Sequence, residues 1–114
     1  MKKRSVLIID DETDLCMLLY SYLKRKNFDV QFRHNLKDGL IVINQMKPDI
    51  LFLDNNLPDG FGWEMAPQLA KDFPETKINL ISAFHPNPPN FDGENNVNII
   101  EKPMSTNTLD SCLN

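Results

Sequence analysis

The sequence predicts an α/β fold built on a parallel sheet. Apolar runs of strand length, Ser5-Val6-Leu7-Ile8-Ile9 and Ile50-Leu51-Phe52-Leu53, are continuous rather than alternating, as in strands buried on both faces. Segments with helical apolar spacing separate such runs, and strands alternating with helices favour a parallel sheet with right-handed crossovers. The runs also end in chemistry-bearing residues. In a parallel sheet those ends share one edge, where the ligands of open α/β sheets gather.

The first strand, Ser5 to Ile9, runs into Asp10-Asp11-Glu12. Leu15, Leu18, Leu19, Tyr22 and Leu23 then recur at helical spacing. Asp11, Glu12 and Asp14 lead this segment and Lys24, Arg25 and Lys26 close it, the charge order a helix dipole favours. Glu12 reads as a first-turn helix acid, and Asn27 as the stop. Phe28 to Arg33 alternates apolar and polar residues and reads as an edge strand. Asn35 is placed to cap a second helix bearing Leu36, Leu40, Ile43 and Met46, which Pro48 ends. Gly39 inside that helix costs about 1 kcal/mol relative to alanine, so close packing is expected there.

The third strand, Ile50 to Asp54, is followed by the turn residues Asn55-Asn56-Leu57-Pro58-Asp59-Gly60. Gly62 to Phe73 reads as a third helix with Trp63 and Phe73 in the core. Pro67 requires this helix either to start late, near Ala66, or to kink. Lys77 to Ser82 and Val97 to Ile100 are the fourth and fifth strands. Between them Phe84 to Asn96 carries Pro86, Pro88, Pro89 and Gly93, so an irregular loop is expected where a fourth helix would stand. Phe84 and Phe91 are expected to pack locally within it. Ser105 is placed to cap a short last helix with Leu109 and Leu113.

A chain of 114 residues, 41% hydrophobic and 25% charged, is expected to form one globular domain. Its net charge of -4 opposes direct nucleic-acid binding. No apolar stretch approaches the roughly 20 residues that span a bilayer, and the basic start lacks a leader pattern. Cys16 and Cys112 lack ligand spacing, which suits a reduced, cytoplasmic setting. His34 and His85 have no partners at ligand spacing and are expected at the surface.

Three strands deliver Asp10 with Asp11, Asp54, and Ser82 to the common edge, and a fourth delivers Lys102. Clustered carboxylates repel and call for a cation; their hard oxygens suit Mg²⁺. Ser82 and Lys102 could hold the oxygens of a phosphoryl group attacked by a carboxylate. Taken singly, each of these residues has a plainer reading: a capping acid, a turn serine, a surface lysine, and for Asn56 a turn former.

The motifs Ile8-Ile9-Asp10-Asp11-Glu12, Leu53-Asp54-Asn55-Asn56-Leu57-Pro58-Asp59-Gly60 with Gly62, Ile81-Ser82-Ala83 and Lys102-Pro103 together closely resemble the receiver domain of bacterial response regulators. The resemblance spans nearly the whole chain. It implies a flavodoxin-like sheet of order 2-1-3-4-5 with helices on both faces. It implies that Asp54 accepts a phosphoryl group from a histidine kinase or histidine phosphotransfer protein. Asp11, Asp54 and the Asn56 backbone carbonyl would bind Mg²⁺ directly and Asp10 through water, with Ser82 and Lys102 on the phosphoryl oxygens. Lys102-Pro103 would be cis, and small Ala83 would leave access to the phosphate. The implied protein is a signalling module of two-component systems rather than an enzyme. Residues 1–114 would be the receiver, the N-terminal part of a longer regulator, acting through a C-terminal output domain, a separate partner protein or a homodimer.

Two departures from the family pattern stand out. Ile99 occupies the position, three residues before the lysine, where receivers usually carry Tyr or Phe, and the proline-rich stretch replaces the usual fourth helix. These favour an alternative, a non-switching pseudo-receiver acting as an interaction module. A third class, a metal-dependent phosphatase, would need a second acid, for which Asp59 is the nearby candidate.

Overall fold

The computed structural model describes residues 3–83 and 95–113. Its strands in chain order are β1 (Ser5–Ile9), β2 (Asp29–Arg33), β3 (Ile50–Asp54), β4 (Asn56–Leu57), β5 (Gly60–Phe61), β6 (Lys77–Ser82) and β7 (Val97–Glu101). The helices are α1 (Thr13–Arg25), α2 (Leu36–Met46), α3 (Ala66–Asp72) and α4 (Thr106–Leu113). Five strands form one parallel sheet in the order β2-β1-β3-β6-β7, and β4 and β5 form a separate antiparallel hairpin. With the hairpin set aside this is the expected 2-1-3-4-5 order. The irregular stretch expected over 84–96, with His85, Phe84, Phe91 and its prolines, lies outside the described residues up to 94.

The sheet separates two cores. Val6, Ile8, Phe52, Ile81 and Ile100 face α1 and α4, meeting Leu19, Leu23, Leu109 and Cys112. Leu7, Ile9, Leu51, Leu53, Ile78 and Leu80 face α2 and α3, meeting Val42, Ile43, Leu69 and Ala70. Successive residues of β1 and β3 therefore enter opposite cores, which is why their sequences are apolar without alternation. Both are fully enclosed, so their carboxyl ends are fixed from behind.

Local chemistry sets the helix ends. Asn27 takes a left-handed backbone, φ 71°, and closes α1. Its N–H donates to the Lys24 carbonyl at 3.0 Å, and that of Phe28 to the Leu23 carbonyl at 3.1 Å. This six-residue closure consumes Phe28, so β2 begins at Asp29 rather than at Phe28. Asn35 caps α2 by accepting the Asp38 N–H at 2.8 Å. Pro67 resolves as a late start: a 3₁₀ turn, Gly62–Met65, precedes α3, and the proline falls in the first turn of α3, where no N–H is required. Ser105 caps α4, its hydroxyl accepting the Thr108 N–H at 3.1 Å.

Gly39 is the close approach expected of it. A Cβ there would overlap the Ile9 side chain, lying 2.8 Å from Cγ1 and nearer still to Cδ1, and Ile9 is fully buried. Overpacking of about 1–3 kcal/mol then opposes a propensity gain of about 1 kcal/mol. We expect Gly39→Ala to destabilise the domain by about 1 kcal/mol in urea unfolding. Ile9→Val, which removes Cδ1, should make the Gly39→Ala change less costly than it is alone.

Candidate functional site

Register carries the predicted residues to one edge. Ile9 of β1 pairs with Leu53 of β3, so Asp10 and Asp54 leave adjacent strands at the same level. Asp54 pairs in turn with Ile81, one residue before Ser82, and Ser82 pairs with Glu101, one residue before Lys102. The Lys102 N–H donates to the Ser82 carbonyl at 2.9 Å, and the Lys102-Pro103 peptide is cis.

Asp10, Asp11 and Asp54 each direct a carboxylate oxygen to a common point, those atoms lying within 4.8 Å of one another. Asp10 and Asp54 are buried and Asp11 is exposed. Among the described residues this is the one cluster of at least three such side chains able to hold a metal ion, and its donors are hard oxygens. Asp10 Oδ1 accepts the Glu12 N–H at 2.8 Å, and its Oδ2 lies 2.9 Å from the Lys102 ammonium. That ammonium lies 2.8 Å from Glu12 Oε1 and 3.7 Å from Asp54 Oδ1. Burial works against its charge, but the contacts with Glu12 and Asp10 outweigh it and raise Lys102 above the ordinary lysine range. Burial, together with the charge of Asp10, pushes the Asp54 carboxyl up to about 6, although Lys102 pulls it down.

The loop after Asp54 is braced at three points. Asn55 accepts the Gly62 N–H at 2.9 Å with its carbonyl and the Trp63 N–H at 3.2 Å with its side chain. Gly62 lies so close to the Asp54 carbonyl oxygen that any Cβ there would overlap backbone. Asp59 stands outside the acidic cluster and accepts the Leu36 and Lys37 N–H groups at 2.7 and 2.9 Å. Those two backbone bonds hold its carboxyl below the usual range. The phosphatase reading asked Asp59 to act as a general acid; it is instead an ionised brace for the start of α2. Asn56 begins β4 with its side chain exposed.

The readings of two single residues change, those of Glu12 and His34. Glu12 sits at the N-cap of α1, makes no cap hydrogen bond with its side chain, and pairs with Lys102. Nothing in the local sequence separates it from an ordinary first-turn acid. His34 is half-buried rather than at the surface, with Nδ1 2.9 Å from the Asp10 carbonyl oxygen and its ring against Phe32. Cys16, buried beneath the same carbonyl at 3.3 Å, is pushed up to about 12 by burial and by Asp10, and so stays a thiol.

The family model for the response regulator receiver domain matches residues 6–114. The response regulator protein PilR of Pseudomonas aeruginosa is 30% identical over 84 residues, covering 74% of this chain and 19% of that protein. The chain thus spans about a fifth of that relative's length. A CheY-like receiver domain from Methanospirillum hungatei superposes with a TM-score of 0.86 at 19% identity, covering 98% of this chain and 91% of the other. A response regulator from Burkholderia pseudomallei, solved with a phosphorylated aspartic acid, calcium ion and citrate, superposes with a TM-score of 0.83 at 20% identity, covering 98% and 67%.

The raised Asp54 value fixes a sign. A carboxyl whose folded value exceeds its unfolded value stabilises the fold relatively at low pH, and this is lost as pH rises through the folded value. Ionised Asp54 therefore costs stability above about 6. With metal absent, Asp54→Asn should raise unfolding stability at pH 7.5 by about 1–2 kcal/mol, the Coulombic part being discounted for solvent screening. The gain should shrink as pH falls from 6 to 4, which chemical unfolding at several pH values would measure.

Proposed function

This chain belongs to the response regulator receiver domain family, and on that premise we propose that Asp54 accepts a phosphoryl group from a histidine kinase or histidine phosphotransfer protein and thereby changes affinity for a partner. Receivers are signalling modules of two-component systems rather than conventional enzymes. The observation that carries the reading is the convergence of Asp10, Asp11 and Asp54 beside a lysine 12% exposed. With a divalent cation on the three carboxylates, that arrangement would suit a dianionic phosphoryl group, which needs positive charge on several sides.

In the proposed reaction an Asp54 oxygen attacks phosphorus, the bond from phosphorus to the donor nitrogen breaks, and its electron pair leaves with the donor imidazole. A Mg²⁺ held by Asp10, Asp11, Asp54 and the Asn56 carbonyl would neutralise charge on the phosphoryl oxygens. Lys102 and Ser82 would each hold one of those oxygens. Later hydrolysis of the acyl phosphate would reset the domain. The partner would be an output domain in the same polypeptide or a separate protein, in the cytoplasm. Among the described residues no helix is long and apolar enough to cross a membrane.

One observation favours a second reading, a receiver that binds partners without switching. Ile99, at the position receivers usually fill with Tyr or Phe, is 44% exposed on β7 and has no hydroxyl or ring to move toward Ser82.

Intact mass after incubation with acetyl phosphate and Mg²⁺ tests the proposal. One phosphoryl adduct is expected, absent in Asp54→Asn and on chelation of the metal. No adduct either with acetyl phosphate or with a cognate kinase would leave the interaction module as the better account.

A further inference from the structure

Glu12 stands outside the converging acidic triad, yet it makes the shortest contact to Lys102. The Lys102 ammonium has three N–H donors. Glu12 Oε1 accepts one of them at 2.8 Å, whereas Asp10 Oδ2 is an ion-pair neighbour at 2.9 Å that accepts no hydrogen bond. Asp54 Oδ1 at 3.7 Å lies beyond hydrogen-bond reach, a gap that an oxygen of a group bonded to Asp54 could fill.

We infer that Glu12 is a positioning residue: it holds the Lys102 ammonium at a standoff from Asp54, with N–H donors left for a phosphoryl oxygen. This rests on the reading of Asp54 as the phosphoryl acceptor. Asp10 cannot hold Lys102 alone in that state, because its carboxylate belongs to the triad that a cation would share. Glu12 does not converge on that point and keeps its hold on Lys102. Its place is set by its own N–H, which donates to Asp10 Oδ1 at 2.8 Å and survives any side-chain change. Its side chain is 59% exposed and caps nothing in α1, so replacing it removes the pairing without removing a support of the fold.

The test is a double-mutant cycle on the rate of Asp54 labelling by acetyl phosphate at saturating Mg²⁺, run beside ¹⁵N NMR of the Lys102 ammonium. Glu12→Gln should slow labelling roughly three- to fivefold, the kinetic weight of a partly exposed ion pair. In a Lys102→Gln background the same change should leave the residual rate unaltered. The ammonium signal, protected from exchange in the unsubstituted protein with and without Mg²⁺, should be lost in Glu12→Gln. An unchanged or faster rate in Glu12→Gln, an equal slowing in both backgrounds, or an ammonium signal indifferent to Glu12 overturns the inference. Absence of labelling in the unsubstituted protein with acetyl phosphate and with a cognate kinase alike overturns the acceptor reading itself, and the ammonium signal then decides independently whether Glu12 holds Lys102.

Discussion

The mutual repulsion of Asp10, Asp11 and Asp54 is the constraint on which the site depends. Three like charges converging within 4.8 Å, two of them on buried residues, do not persist unless something opposes them. Lys102 supplies one positive charge from the end of β7, across β6 from β3, and protonation of Asp54 relieves part of what remains. The site is therefore poised for added positive charge. A divalent cation would satisfy that demand, and the dianionic charge of a phosphoryl group on Asp54, if taken up as proposed, would fall on oxygens that metal and lysine can share.

The fold keeps these groups from moving apart. β1 and β3 have apolar cores on both sides, so the peptide segments that end in Asp10 and Asp54 cannot retreat. The loop beyond Asp54 is tied back through Asn55, packed against backbone at Gly62, and anchored to α2 through Asp59. Rigid support on one side and a braced loop on the other let the domain hold carboxylates in an arrangement that would relax in a flexible chain.

Much of this was legible in the sequence because the signals were local. Unbroken apolar runs marked β1 and β3, and the alternation of strands with helices brought Asp10, Asp11, Asp54, Ser82 and Lys102 to one edge. Pro67 marked a late start or a kink, between which the structure chose the late start, and Gly39 marked its own tight packing. What escaped depended on contacts across the chain. Glu12 meets Lys102 over a separation of ninety residues, and its neighbours give no hint of it. His34 reaches the Asp10 carbonyl only because β2 lies beside β1. Asp59 looked like a free acid because its partners, the first N–H groups of α2, lie far back in the chain. The hairpin of β4 and β5 is two residues a side, too short for periodicity to register.

Charge crowding at Asp54 is measured most directly by a ¹³C carboxyl titration of that residue. Without metal the midpoint should lie near 6, and Mg²⁺ should move it downward as the added charge favours the carboxylate. A midpoint at the ordinary aspartate value, indifferent to Mg²⁺, would contradict the account.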